Sequence, residues 1–150
     1  MLKGIDPLLT PDLLKLLAEM GHDDAIVLAD ANFTAMSLGR GKPVLRLPGI
    51  DMARALKAVG SVLPLAQDVA HPVAYMKVCG TEDGYRSEVQ REALAVLVDQ
   101  GLREEQAEPL ARYDFYDRVR SAYAIVVTGE LQPWSNFLLR KGVLGEPLRG

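Results

Sequence analysis

Two short, almost wholly apolar runs limit most strongly how this chain can fold. Residues 25–29 read AIVLA, and residues 123–128 read YAIVVT, rich in β-branched side chains. A strand that reads as a continuous apolar run, and not as an alternating one, is typical of a sheet covered on both faces. Both runs therefore predict central strands of a sheet with helices on each side.

Amphipathic segments alternate with these runs. Thr10-Pro11-Asp12 opens the first helix with a hydroxyl N-cap, a proline at the first helical position and an acid near the positive helix end. Leucines at helical spacing follow until Gly21, a typical helix stop. Further helices are predicted from Asp51 to about Val59, over 87–100 and over 113–122, and further strands over 43–46, 73–78 and 137–140. Residues 101–111 have no clear pattern.

The alternation predicts an α/β fold with a largely parallel central sheet flanked by helices. Residues 1–150 have the usual length of a single domain, and no repeat or linker divides them. In such sheets, ligands bind outside the carboxyl ends of strands. Asp30 and the segment after Thr128 both follow predicted strands, so we expect the functional site there.

Composition and charge exclude several classes of partner. The net charge is −3 and the basic residues are scattered, which predicts no nucleic-acid partner. No apolar run reaches the roughly 18 residues that span a bilayer, and the N-terminus lacks the apolar core of a signal peptide. The single cysteine, Cys79, fits a reducing compartment. We therefore expect a cytoplasmic protein without a membrane partner.

The sequence also lacks the motifs of the common cofactor and metal sites. No group of His and Cys has metal-ligand spacing, and neither a glycine-rich phosphate loop nor a G-x-S-x-G elbow is present. His71 precedes a proline in a predicted surface loop. Cys79 follows a predicted apolar strand, where a buried, inert thiol is expected. The prediction is no metal and no cofactor.

His22 and Asp30 are candidates for acid–base chemistry. They flank the first predicted strand at a separation of eight residues, and we expect them to reach the same rim of the sheet. Histidine exchanges protons near neutral pH, and a carboxylate can orient it or bind a hydroxyl. The alternative is that His22 only interacts with the negative C-terminal end of the first helix.

A second group of candidates suits a ligand rich in hydroxyls. Arg112, just before a predicted helix, offers five hydrogen-bond donors. The loop Trp134-Ser135-Asn136 places an indole, a hydroxyl and a carboxamide together after a strand. Aromatic faces pack on the apolar faces of sugars, and amides recognise hydroxyls. The alternative is that Trp134 anchors the core or an interface.

Several ordered blocks carry a resemblance to a known family. They are MLKGIDPLL at 1–9, LAEMGH at 17–22, IVLADANF at 26–33, FYDR at 115–118, AYAIVVTGE at 122–130 and NFLLRKGV at 136–143. In these blocks the chain resembles the RbsD/FucU superfamily, which contains ribose pyranases and L-fucose mutarotases. The fucose branch is the more similar of the two, and the resemblance covers almost the whole length.

The resemblance implies roles for individual residues. His22 falls at the catalytic proton donor, Asp30 at a sugar contact and Arg112 at a substrate-binding position of the fucose branch. Residues 134–136 fall on that branch's substrate-binding loop, which usually reads Tyr-Gly-Asn. Asn136 matches this pattern, whereas Trp134 and Ser135 depart from it.

A second departure lies at residues 46–49, which read RLPG where a fucose mutarotase has Arg-Ala-Asp-Gly. Pro48 cannot supply that carboxylate, although Asp51 lies close by in sequence. The departures alter the pocket wall and leave the proton-donor position unchanged.

The resemblance further implies a cofactor-free isomerase that interconverts the α and β anomers of a free monosaccharide, L-fucose above all, by acid–base ring opening. Two alternatives stay open: a D-ribose pyranase, and a non-catalytic sugar-binding or transport-accessory protein. The family also implies a ring-shaped homo-oligomer, often a decamer, with sites near subunit boundaries.

Overall fold

The computed structural model describes residues 1–150 and has the predicted α/β architecture with a largely parallel sheet. The helices are Pro11–Glu19 (α1), Ala35–Leu38 (α2), Met52–Gly60 (α3), Glu88–Asp99 (α4) and Arg112–Ser121 (α5). The strands are Ala25–Ala29 (β1), Val44–Leu47 (β2), Val73–Met76 (β3), Ala107–Leu110 (β4), Ala124–Thr128 (β5) and Phe137–Arg140 (β6). No helix combines the length and the apolar character that crossing a bilayer requires.

One antiparallel strand lies inside an otherwise parallel sheet. The strand order is β2-β5-β1-β6-β3-β4, and β6 runs opposite to both of its neighbours. Phe137, at the start of β6, is in register with Leu28 on β1 and with Tyr75 on β3. The start of β6 therefore lies at the same edge of the sheet as the carboxyl ends of the other five strands.

Helices cover both faces of the sheet, as the continuous apolar strands predict. Ile26 and Leu28 pack on one face in a core shared with α1, α3 and α4. Val27 and Ala29 point to the opposite face, toward α2 and α5. Because side chains alternate along a strand, a strand covered on both sides needs an apolar residue at every position.

Side-chain caps define the starts of three helices. The hydroxyl of Thr10 accepts a hydrogen bond from Leu13 N at 3.2 Å. The carboxylate of Asp51 accepts one from Arg54 N at 2.8 Å. Ser87 and Gln90 cap α4 reciprocally, as a capping box. These caps, each contributing about 1 kcal/mol, confirm the predicted helix starts.

The structure corrects the expectations for Cys79 and His71. Strand β3 ends at Met76, two residues earlier than predicted, so Cys79 lies beyond the sheet and its thiol is exposed. His71 is only partly exposed, and its Nδ1 is buried without a hydrogen-bond partner. The unpatterned segment 101–111 contains strand β4. Its Pro109 fits there because β4 is an edge strand, where a missing N–H is tolerated.

Candidate active site

A cavity of about 310 Å³ opens at the carboxyl edge of the sheet. The ends of β1 and β3, the loop before β6 and the first turn of α5 surround it. Ten residues line this cavity: Asp30, Asn32, Phe33, Thr34, Met76, Arg112, Tyr116, Pro133, Trp134 and Asn136. The predicted site residues Asp30, Arg112, Trp134 and Asn136 are thus brought together, although they are distant in sequence.

Asp30 is a buried carboxylate held by its neighbours. It directly follows β1 and is only 5% exposed. One carboxylate oxygen accepts a hydrogen bond from Asn32 N at 3.0 Å, and the other accepts one from Asn136 Nδ2 at 3.0 Å. Burial raises the pKa of Asp30 above its ordinary value, and the hydrogen bonds offset part of this shift. The group is therefore a stronger proton acceptor than an exposed aspartate.

Arg112 is held in place by two tyrosines. The guanidinium carbon lies 5.5 Å from the ring centroid of Tyr113 and 5.4 Å from that of Tyr116. Arg112 Nε donates to the Tyr116 hydroxyl at 3.0 Å, and this hydrogen bond raises the pKa of the guanidinium. Its two terminal nitrogens have no partner in the chain, so they are available to oxygen atoms of a ligand.

Trp134 forms an apolar wall of the cavity from an unusual backbone conformation. Its φ is 65°, in the left-handed region that residues other than glycine seldom adopt. Phe33, Met76 and Pro133 complete the apolar part of the lining. The cavity therefore presents apolar surface beside hydrogen-bonding groups, which is the combination that a sugar ring requires.

Ser135 lies in the same loop but does not line the cavity. Its side chain is fully buried, and its hydroxyl has no hydrogen-bond partner. Only its neighbours Trp134 and Asn136 reach the cavity. Any contribution of Ser135 to ligand binding therefore has to come through the backbone.

His22 lies at the opposite edge of the sheet from Asp30. It precedes β1 and Asp30 follows it, so the two are separated by the length of a five-residue strand, about 17 Å. The expectation that they share one rim within a chain is therefore wrong. Two residues that flank a single straight strand necessarily lie at its two ends.

His22 has a partner that the sequence did not reveal. Its Nε2 lies 3.0 Å from Asp68 Oδ2, in a pair whose side chains are 48% and 59% exposed. The hydrogen bond from His22 lowers the pKa of Asp68, so this carboxylate stays ionised. Asp68 lies in an irregular segment 46 residues further along the chain, and no local pattern links it to His22.

Other lining residues could have been found from their spacing. Tyr116 follows Arg112 by four residues on a helix, which places both side chains on one face. Asn32 and Phe33 follow Asp30 by two and three residues in the loop that leaves β1. Met76 ends a parallel strand, the position at which such sheets bind ligands.

Known proteins are similar to this chain over almost its whole length. The sequence profile of the RbsD / FucU transport protein family matches residues 3–144. The chain is 43% identical to an L-fucose mutarotase of Glaesserella parasuis, with 95% of this chain and 96% of that protein aligned. It is 41% identical to a human fucose mutarotase, with 95% and 94% aligned.

Solved structures agree as well. The fucose mutarotase of Streptococcus pneumoniae, solved in complex with L-fucose, superposes with a TM-score of 0.88 at 35% identity. The alignment covers 96% of this chain and all of that one. Bacillus subtilis RbsD, solved with D-ribose, has a TM-score of 0.72 at 24% identity over 97% of this chain and all of its own, a likeness of fold alone. This chain therefore belongs to the RbsD/FucU family.

Proposed function

We propose that this chain is a mutarotase that interconverts the α and β anomers of a free monosaccharide, with L-fucose as its substrate. The observation that carries the proposal is the cavity at the carboxyl edge, where a carboxylate, a guanidinium, a carboxamide and an indole face one space. Its volume of about 310 Å³ is at the small end for ligand pockets, which suits a single sugar ring. The relatives named L-fucose mutarotase support the choice of sugar.

The chemistry of mutarotation matches these groups. A cyclic hemiacetal opens when its ring oxygen gains a proton and its anomeric hydroxyl loses one. The open aldehyde then rotates and closes on its other face, which returns both protons. Acid–base assistance typically contributes about 10²–10⁴-fold to such a step. Only proton transfer is needed, so side chains that donate and accept protons are sufficient.

Within the cavity, Asp30 is the acceptor and Arg112 the anchor. Asp30 is the one carboxylate that lines the cavity, and its raised pKa favours uptake of the anomeric proton. The free guanidinium nitrogens of Arg112 bind the remaining sugar oxygens. The indole of Trp134 packs on the apolar face of the ring, as aromatic side chains do in carbohydrate sites.

The proton donor is His22 of a neighbouring copy of the chain. His22 is at the far edge from its own Asp30, so the cavity of one chain contains only the acceptor of the acid–base pair. The family resemblance implies a homo-oligomer with sites near subunit boundaries, and we propose that one copy's His22 edge lies against the next copy's cavity. The His22–Asp68 pair is about half exposed, which makes it accessible to a neighbouring copy.

Saturation-transfer NMR between the α and β anomeric protons tests the proposal. Exchange is measured with and without protein for L-fucose, D-ribose and D-galactose. We expect acceleration for L-fucose, and His22→Ala should abolish it while sugar binding remains. Preference for ribose would instead indicate a pyranase. Binding without acceleration of any sugar would indicate a non-catalytic binding protein.

A further inference from the structure

Gln90 is a fully buried glutamine in the first turn of α4 that reaches the wall of the cavity from behind. Its Nε2 donates to Trp134 O at 2.9 Å and to Met76 O at 2.8 Å. Its Oε1 accepts a hydrogen bond from Ser87 N at 3.1 Å. Both amide hydrogens are thus used, and the carboxamide ties the helix start to the end of β3 and to the loop before β6.

The hydrogen bond from Gln90 to Trp134 O is the only one that a side chain makes to residues 133–135, where Pro133 and Trp134 form a turn. On one side of this segment, Gln132 N donates to Glu130 Oε1 at 2.9 Å. On the other side, Asn136 O accepts from Met76 N at 3.1 Å. Between these two points, the carbonyl of Trp134 is the one backbone group of the loop that a side chain from another element holds.

The backbone at Trp134 gives this anchor its importance. A left-handed φ at a bulky residue is unfavourable, and it persists only where the surroundings hold it. The preceding residues Leu131, Gln132 and Pro133 are exposed. The peptide plane after Trp134 joins it to Ser135, and its orientation limits the direction of the indole. A group that fixes this plane therefore fixes the indole wall of the cavity.

We propose that Gln90, which does not itself line the cavity, is the positioning residue that sets the geometry of the sugar-binding loop. It fixes the carbonyl of Trp134 relative to Met76, and so places the indole against the ligand. The functional part of this inference rests on the proposed sugar site. The structural part of the inference, that Gln90 fixes the Trp134 loop, does not depend on the sugar and is tested by Trp134 fluorescence.

The chain provides its own probe, because Trp134 is the only tryptophan. Gln90→Met keeps the length of the side chain and removes both donors. We expect a shifted Trp134 emission maximum, faster quenching by acrylamide, and L-fucose affinity about tenfold weaker, a loss of the order that one aromatic contact contributes. The exchange rate at saturating sugar should change by less than threefold, because the groups that transfer protons are retained.

Gln106→Met is the matched control. Gln106 is also buried, and its Oε1 likewise accepts a hydrogen bond from the backbone of its own turn, Arg103 N at 3.0 Å. Gln106 has no hydrogen bond with the Trp134 loop. Its replacement should therefore lower the free energy of unfolding without altering Trp134 emission or sugar affinity. Emission, quenching and affinity that are the same in Gln90→Met and in the unmodified protein would overturn the proposal.

Gln90→Glu covers the case in which the methionine variant does not fold. It keeps the acceptor for Ser87 N and turns an oxygen toward the two carbonyls. On acidification the protonated carboxyl regains one donor, so Trp134 emission should move back toward that of the unmodified protein, in this variant only. If the emission changes occur but no sugar exchanges faster with the unmodified protein, the positioning role holds and the mutarotase proposal fails. If the unmodified protein accelerates exchange and the Gln90 variants leave Trp134 emission and L-fucose affinity unchanged, the mutarotase proposal holds and the positioning role fails.

Discussion

Asp30 and Asn136 hydrogen-bond each other twice across the boundary between β1 and the loop that precedes β6. Asp30 N donates to Asn136 Oδ1 at 2.8 Å, and Asn136 Nδ2 donates to Asp30 Oδ2 at 3.0 Å. Both residues are buried, at 5% and 2% exposure. Burial of the carboxylate disfavours its ionisation and raises the pKa of Asp30, while the hydrogen bond from Asn136 offsets part of this shift.

The raised pKa of Asp30 makes a prediction about how stability depends on pH. An acid whose pKa is higher in the folded than in the unfolded state binds its proton more tightly when folded. Its ionisation therefore lowers the free energy of unfolding as pH rises from about 3.8, the ordinary value, to the raised pKa of Asp30. We expect the unmodified protein to lose stability relative to Asp30→Asn across that interval, with a constant difference above it.

Urea denaturation of both proteins at several pH values measures this difference. Other titrating groups cancel in the comparison, because both proteins contain them. A difference that stays flat with pH, or that moves in favour of the unmodified protein, would show that the Asp30 pKa is not raised.

Complementation between two inactive variants tests whether sites are shared between copies. His22→Ala and Asp30→Ala should each lose L-fucose exchange. When the two are unfolded together and refolded, random pairing unites an intact cavity with an intact neighbouring His22 in about a quarter of the sites. We therefore expect exchange to return to about a quarter of the unmodified level. Variants refolded apart and mixed afterwards are the control. No recovery in the mixed oligomers would rule out the shared site.

Asp68 should affect the rate of exchange without affecting the fold. Asp68→Asn keeps the shape of the side chain and removes the charge that faces His22, so we expect exchange about fivefold slower, a small part of the roughly 10²–10⁴-fold that acid–base assistance contributes. Stability should change by less than about 1 kcal/mol, because the pair is exposed. Asp23→Asn, which changes a neighbouring carboxylate paired with Arg140, is the matched control. Equal rates in the two variants would remove Asp68 from the mechanism.

Two buried hydroxyls near the sheet edge should respond to substitution in opposite ways. Ser135 Oγ has no partner, so Ser135→Ala should raise the free energy of unfolding by about 1 kcal/mol. Thr128 Oγ1 donates to Ala29 O at 2.9 Å and accepts from Glu130 N at 3.2 Å. Thr128→Val should therefore lower stability by about 1–3 kcal/mol.

Denaturant unfolding of both variants measures these changes, and a fucose titration of Ser135→Ala follows. Affinity should be unchanged, because the side chain does not line the cavity. Weaker binding in this variant would show that the hydroxyl reaches the sugar after all.

Local sequence signals predicted most of the elements in this fold. Thr10, Asp51 and Ser87 each announce a helix because a cap acts on the backbone within three residues. Strand β4 was missed because its pattern is short and contains Pro109, which is acceptable only at a sheet edge. The direction of β6 was also beyond local analysis, since an apolar run reads the same whether the strand is parallel or antiparallel.

The candidate site likewise contains some residues that local sequence signals predict and others that they do not. Asp30, Arg112 and the loop of Trp134 are marked by their positions at strand and helix ends. The Asp68 partner of His22 and the Gln90 anchor of Trp134 are set by tertiary contacts across 46 and 44 residues, for which no spacing rule exists. The separation of His22 from Asp30 follows from geometry, because a strand holds its flanking residues apart.

The antiparallel strand β6 also decides when the cavity can exist during synthesis. It joins β2-β5-β1 on one side to β3-β4 on the other, and no other strand pairing connects the two halves of the sheet. Until the ribosome has released residue 140, the earlier strands expose unpaired edges and the walls of the cavity lie on separate pieces. Pairing across so many residues is slow and leaves the nascent chain open to aggregation. The ability to bind a ligand therefore appears in a single late step, when the last strand inserts and completes the sheet.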